Sequence, residues 1–222
     1  MKLKYFFALL LLSLGTLSHA QESGLRLNIK GGNNAALGHY GALSVEGYHS
    51  LKKSFQVKGG IQCNTLDNFA VEARPSYFYD FAAGRLHAEA LLHYAPNSTI
   101  HNIAFGAGVG FTSRYVNITL GYYYRTITAG KERIKEPFNI YYELGVSCLP
   151  TISEWDLVLS VSNNRIFELE RHYQPSFMID GWWYPTKRMG VTLGVSYKPA
   201  GIFNISSDYY QLYTNIGVCY KW

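Results

Sequence analysis

Along most of the chain, apolar and polar residues alternate with a period of two. The cleanest case is 211–222, QLYTNIGVCYKW. Leu212, Thr214, Ile216, Val218, Tyr220 and Trp222 form one row, and Gln211, Tyr213, Asn215, Gly217, Cys219 and Lys221 the other. Successive side chains of a strand point to opposite faces, so this segment has one greasy face and one polar or small face. The same alternation predicts strands over 25–30, 41–49, 55–63, 69–80, 85–94, 103–111, 116–125, 138–147, 155–162, 173–180, 188–198 and 211–222. The pair 103–125 carries the strongest pattern after the terminal strand. Pro75 interrupts the fourth strand; a proline removes a ladder bond, so a bulge is expected there. The count is twelve, or ten if a weak pair around Tyr173 or Trp155 does not form.

The predicted connections alternate in length. Polar segments at 31–39, 64–68, 95–102, 128–137, 163–171 and 199–210 read as loops, and tight turns lie between them. Most strands have about nine to thirteen residues, the length a tilted strand needs to cross a bilayer. Aromatics gather near strand ends, at Tyr94, Tyr115, Tyr122 to Tyr124, Trp155, Trp182, Trp183, Tyr184 and Trp222, as in interfacial girdles. A final amphipathic strand closing on Trp222 resembles the terminal strand of Gram-negative outer-membrane β-barrels, the segment their assembly machinery reads. The resemblance implies an all-β, antiparallel up-and-down transmembrane barrel of the porin-like class, located in the outer membrane. Its partners would be outer-membrane lipid and the assembly machinery. Tight turns on one side and an even strand count place both termini in the periplasm. The rival is a soluble secreted barrel or sandwich whose greasy face points inward. Alternation does not separate the two; strand length, loop alternation and the aromatic positions favour the membrane barrel.

The amino terminus has a different character. Lys2 and Lys4 precede an uncharged apolar run from Tyr5 to Leu17, and Ser18-His19-Ala20 offers small residues to a signal peptidase. Residues 1–20 are therefore expected to be a secretory signal peptide, with 21–222 forming one barrel domain. Removing twenty of the 222 residues leaves 202, a common size for a single all-β domain. Two lysines leave with the leader, so 18 Lys and Arg face 15 acids. That balance is too mild to argue for a nucleic-acid partner. Mean hydropathy is low and no second long apolar run follows, which argues against a helical membrane protein. The 19 tyrosines suit strands and interfaces. Cys63, Cys148 and Cys219 are too few and too scattered for a disulfide framework and read as small buried apolar residues.

If the greasy rows face lipid, the opposite rows line a lumen. They contain Arg26 and Lys30, Glu46, Lys58, Glu72 and Arg74, and then Arg85, His87, Glu89 and His93. Farther along come Arg125, Glu143, Asp156, Asp180, Arg188, Lys198 and Lys221. Glu46 with Lys58, Lys58 with Glu72, and Arg74 with Glu89 are the expected cross-strand pairs. Such charges either brace a narrow interior or line a water path and set its ion preference. Gly106, Gly108 and Gly110 are expected to leave one wall bare, open to a small solute. These features point to a small, weakly selective channel or a structural barrel. Two alternatives stand beside it. Ser98 and His101, with His39, Asp67, His172 and Asp208 near the same rim, are the types a hydrolase needs, although no hydrolase motif is present. A loop around Lys131 to Glu136 offers a binding module. His87, His93 and Glu89 share a face but lack metal-site spacing, and no cofactor is implied.

Overall fold

In a computed structural model the described residues are 23–35, 38–65, 69–96, 100–149, 154–169, 174–199 and 209–222. The expected leader, 1–20, lies outside them. The strands are β1 (Ser23–Asn34), β2 (Gly38–Lys52), β3 (Phe55–Asn64), β4 (Phe69–Phe81), β5 (Gly84–Pro96), β6 (Ile100–Thr112) and β7 (Val116–Ala129). They continue with β8 (Glu132–Ser147), β9 (Trp155–Ser162), β10 (Asn164–Arg165), β11 (Glu168–Leu169), β12 (Ser176–Trp183), β13 (Met189–Pro199) and β14 (Tyr209–Lys221). Twelve of these close into one antiparallel barrel in the order β1-β14-β13-β12-β9-β8-β7-β6-β5-β4-β3-β2. β1 and β14 zip from Gly24 opposite Lys221 to Asn34 opposite Gln211. At the foot of this seam the Ser23 amide donates to the Trp222 carbonyl at 3.2 Å, and the Trp222 amide to the Ser23 carbonyl at 3.0 Å. Closure leaves no open edge, so each of these twelve strands is paired on both sides. β10 and β11 form a separate two-stranded hairpin.

The greasy rows look outward. Val109 and Leu193 are each 63% exposed, and Ile118, Leu120, Leu144 and Ile216 are also exposed. Arg125, Glu72 and Arg74 are buried inside. This inversion of a soluble core is what a hydrocarbon solvent selects. It also corrects the cysteines. Cys63 and Cys148 are exposed, and only Cys219 is buried. A greasy-face position is buried in a soluble core but bare on a barrel exterior. The outer aromatics do stack near the ends, as in Trp155 on Trp183 at 5.6 Å and Tyr220 on Trp222 at 5.9 Å, while the stack of Tyr122 on Phe138 lies mid-strand. Three residues expected in the girdles turn inward instead. Tyr123 is fully buried, Trp182 lies 5.1 Å beneath the Arg26 guanidinium, and Tyr184 lies 4.3 Å from Lys221 Nζ. Tyr184 sits in the turn after β12, where burial pushes its phenol up to about 12, so it meets Lys221 as a neutral ring.

Several expected loops are strand. The segment 31–39 is mostly ladder between β1 and β2, and 95–102 is mostly ladder between β5 and β6. The charged stretch 128–137 extends β7 and β8 up to a two-residue turn at Gly130 and Lys131. Gly130 takes φ 59 there, which glycine adopts without steric cost. No bulge forms at Pro75. Its pairing with Val57 is regular, while the ladder to β5 skips Arg74 and Pro75 without changing register. Register shifts lie elsewhere, between Ser50 and Lys52 of β2, between Lys198 and Pro199 of β13, and beside Pro137 of β8. Between Tyr123–Asn139 and Arg125–Glu136, Tyr124 faces both Pro137 and Phe138 of β8.

Candidate functional site

β10 and β11 interrupt the wall. Ser162, the last residue of β9, pairs with Glu143 of β8. Asn163 then uses its side chain where a strand would use backbone. Its Nδ2 donates to the Ile140 carbonyl at 2.9 Å, and its Oδ1 accepts from the Tyr142 amide at 2.8 Å. With its ladder partners taken, the chain leaves the wall and folds into the bore. Ile166 and Phe167 make the turn, with Phe167 at φ 69. That conformation is unfavourable for a bulky side chain by about 1–3 kcal/mol, so its surroundings must hold it.

They do so on the opposite wall. In the ring of twelve strands, the β9–β12 junction and the β3–β4 junction are diametrically placed. The Phe167 amide donates to Glu72 Oε2 at 3.0 Å. Glu72 also accepts from Arg74 Nε at 2.6 Å, and His93 Nδ1 lies 3.0 Å from its Oε2. Arg74 Nη2 donates to Asn164 Oδ1 at 2.9 Å. The Glu72 carboxylate has no exposed surface. The Phe167 ring reaches β3, where a Cβ on Gly60 would lie 3.0 Å from its tip. Arg165 turns back to Asp180 of β12, Nη2 to Oδ2 at 3.4 Å. The hairpin thus spans the bore and is tied at both sides.

Around it lies a cavity of about 300 Å³. Its lining includes Arg26, Glu46, Lys58, Arg74, His87, Glu89, Glu143 and Asp180. Glu72 and His93 sit behind Arg74 in the buried cluster. Arg125 is buried against Glu136 of β8. Asp156 is half-buried near the end holding the termini, where it accepts from Ser147 Oγ at 2.5 Å. Two expected lining residues lie elsewhere. Arg188 is exposed in the β12–β13 turn, and Arg85 is exposed beside Asp80 at the β4–β5 turn. Side chains flanking a short turn reach water at the rim before they reach the bore.

The expected charge pairs are not those that form. Glu46 binds Arg26 at 3.3 Å rather than Lys58, because it faces Gly60 on β3 and Arg26 on β1. Lys58 stands opposite Arg74 rather than Glu72. Glu89 accepts from the Tyr141 hydroxyl at 3.0 Å. The glycine wall is not bare. Tyr123 and Tyr141, both fully buried, lie over Gly106, Gly108 and Gly121, and His87 covers Gly110. Large rings from neighbouring strands occupy the space the glycines leave, and with Leu91 and Ala104 they make a small apolar cluster inside the barrel.

Of the rim residues, His101 is exposed and stacks on Tyr94, and His39 is exposed on β2. Ser98, Asp67, His172 and Asp208 lie outside the described residues. Among the described residues neither histidine has a carboxylate in ion-pair range. His93 is engaged with Glu72, and His87 Nε2 lies 3.2 Å from Thr119 Oγ1. No group of three or more His, Cys, Asp or Glu suited to a metal occurs among the described residues.

Solved structures give the fold its context. A KdgM porin in complex with disordered oligogalacturonate aligns at 12% identity over 89% of this chain and 98% of its own, with a TM-score of 0.55. A NanC porin aligns at 11% identity over 87% and 98%, with a TM-score of 0.59. The fold is that of the outer-membrane β-barrels. The translocator domain of the autotransporter NalP from Neisseria meningitidis shares it at 12% identity over 98% and 94%, with a TM-score of 0.53. No family model and no curated protein matches the sequence. What distinguishes this chain within the shared architecture must therefore be read from its own lumen.

The hairpin is the feature that strand reasoning missed. The available signal was composition: Ile166, Phe167 and Leu169 are bulky apolar residues inside an otherwise polar, charged loop that opens on Asn163-Asn164-Arg165.

Proposed function

We propose that the chain is an outer-membrane channel for small solutes, with its bore narrowed by the inward hairpin. The observation that carries this reading is the pairing of an apolar exterior with a charged, roughly 300 Å³ internal cavity. The longest connections between wall strands, 163–175 and 200–208, lie at the end opposite both termini, which supports a periplasmic placement of the end that holds the termini. Residues 1–20 would be the leader that delivers the chain, and the terminal strand would be read by the assembly machinery. Outer-membrane lipid would cover the apolar exterior. A KdgM porin forms a complex with disordered oligogalacturonate. Here Arg26, Arg74, Arg125 and Arg165 each face an acidic partner, and the hairpin crosses the path. The reading is therefore of solutes smaller than an extended polyanion.

Single-channel recording in planar bilayers tests it. The wild-type barrel should give small, steady currents, and replacing 164–169 by a short Gly-Ser link should raise the conductance severalfold. Silence from both would remove the channel reading. Orientation has its own test. A tag inserted at Gly130 should be reached by antibody on intact cells, and one after Trp222 should not.

A further inference from the structure

Three buried acceptors stand on one stretch of lumen wall without a hydrogen-bond partner among the described residues: Asn28 Oδ1, Thr192 Oγ1 and Asn215 Oδ1. Asn28 is 7% exposed and Thr192 4%. Their placement follows from register. Asn28, Gly217 and Thr192 stand side by side across β1, β14 and β13. Asn215, Gly194 and Asp180 stand side by side across β14, β13 and β12. The two glycines clear space, and the oxygens lean into it. A Cβ at Gly217 would lie 2.7 Å from Thr192 Oγ1 and 2.9 Å from Asn28 Oδ1, and one at Gly194 would collide with Asp180 Oδ1 and Asn215 Oδ1. Four side-chain oxygens thus crowd two adjoining bare patches. A buried acceptor left unpaired forfeits the bond it would make in water, so three together call for a donor.

The neighbouring group has the opposite need. Arg26, two residues from Asn28 on the same face, has a buried Nε with no acceptor, while its Nη2 holds Glu46 at 3.3 Å. Its guanidinium lies over Trp182, the register partner of Thr192. Lys58 lines the same cavity.

We infer that this wall binds the ammonium end of a small zwitterion, such as a free amino acid, whose carboxylate meets Arg26 and Lys58. An ammonium group brings three donors to three waiting acceptors, and the bonds are charge-assisted. A calcium ion would ask for six to eight oxygens, several of them carboxylates. Here the single carboxylate, Asp180, already faces Arg165. The inference deepens the channel reading by giving it a solute class. It is tested by binding, so silence in a bilayer and failure to bind are separate results.

The experiment is calorimetry on the full barrel folded in detergent micelles, titrated with free glycine, methylammonium and acetate. Glycine should bind more tightly than either single-charge probe. Asn28→Ala with Asn215→Ala should weaken glycine and methylammonium about tenfold and leave acetate unchanged. Asn215→Asp should strengthen methylammonium and weaken acetate, a gain that a folding defect cannot mimic. Heat-modifiable migration on a gel confirms that each variant is folded. Absence of glycine binding would overturn the inference. So would glycine affinity indifferent to both sets of substitutions, or acetate binding without methylammonium binding, which would mean the amides present their nitrogens.

Discussion

Glu72 shows how one side chain can hold a distant segment. It takes hydrogen bonds from a guanidinium and a loop amide and contacts an imidazole, with no exposed surface of its own. Removing one member of such a set strands the others, whereas removing charge from both partners can be nearly neutral. Glu72→Gln should therefore cost about 3 kcal/mol in urea unfolding, and adding Arg74→Met should recover more than half of it. Both residues were assigned to the polar face by alternation, which is a local property. Their partners were not legible. Alternation gives a face but not a register, so Lys58 was matched to Glu72 when it stands opposite Arg74. The bond from Phe167 spans 95 positions in sequence, and no periodicity encodes it.

The short β10–β11 hairpin owes its path to Asn163, whose amide takes two backbone partners on β8 and so ends the wall early. Asn163→Ala removes both bonds without touching the far anchor. The hairpin should then open more often, and exchange of the Phe167 amide proton should speed up by at least tenfold while the wall strands stay protected. Strand existence was legible for all twelve wall elements because the lipid-facing rows must be apolar. Strand ends were not. Beyond the bilayer both faces of a strand meet water, so Glu132, Arg133 and Lys135 continue β8 with no alternation to mark it. Charge there mimics a loop.

The barrel as a whole is a closed sheet with oil outside and polar groups within, and the two sides of one strand should answer differently to the same substitution. Leu120 is exposed on the outer face of β7, and its neighbour Thr119 is buried on the inner face. Leu120→Arg should cost about 2–4 kcal/mol of folding free energy in lipid vesicles. Thr119→Arg, near the acids Glu89 and Glu143 that line the same cavity, should cost less and alter ion preference instead. The diametric tie has a consequence for the order of events during biogenesis. Phe167 can reach Glu72 only when the arc from β4 to β9 has curled through half a turn to bring the far wall round. The tie is thus absent from any intermediate in which that half of the sheet is still flat. Protection of that single amide would time-stamp the moment this half of the cylinder takes its curve.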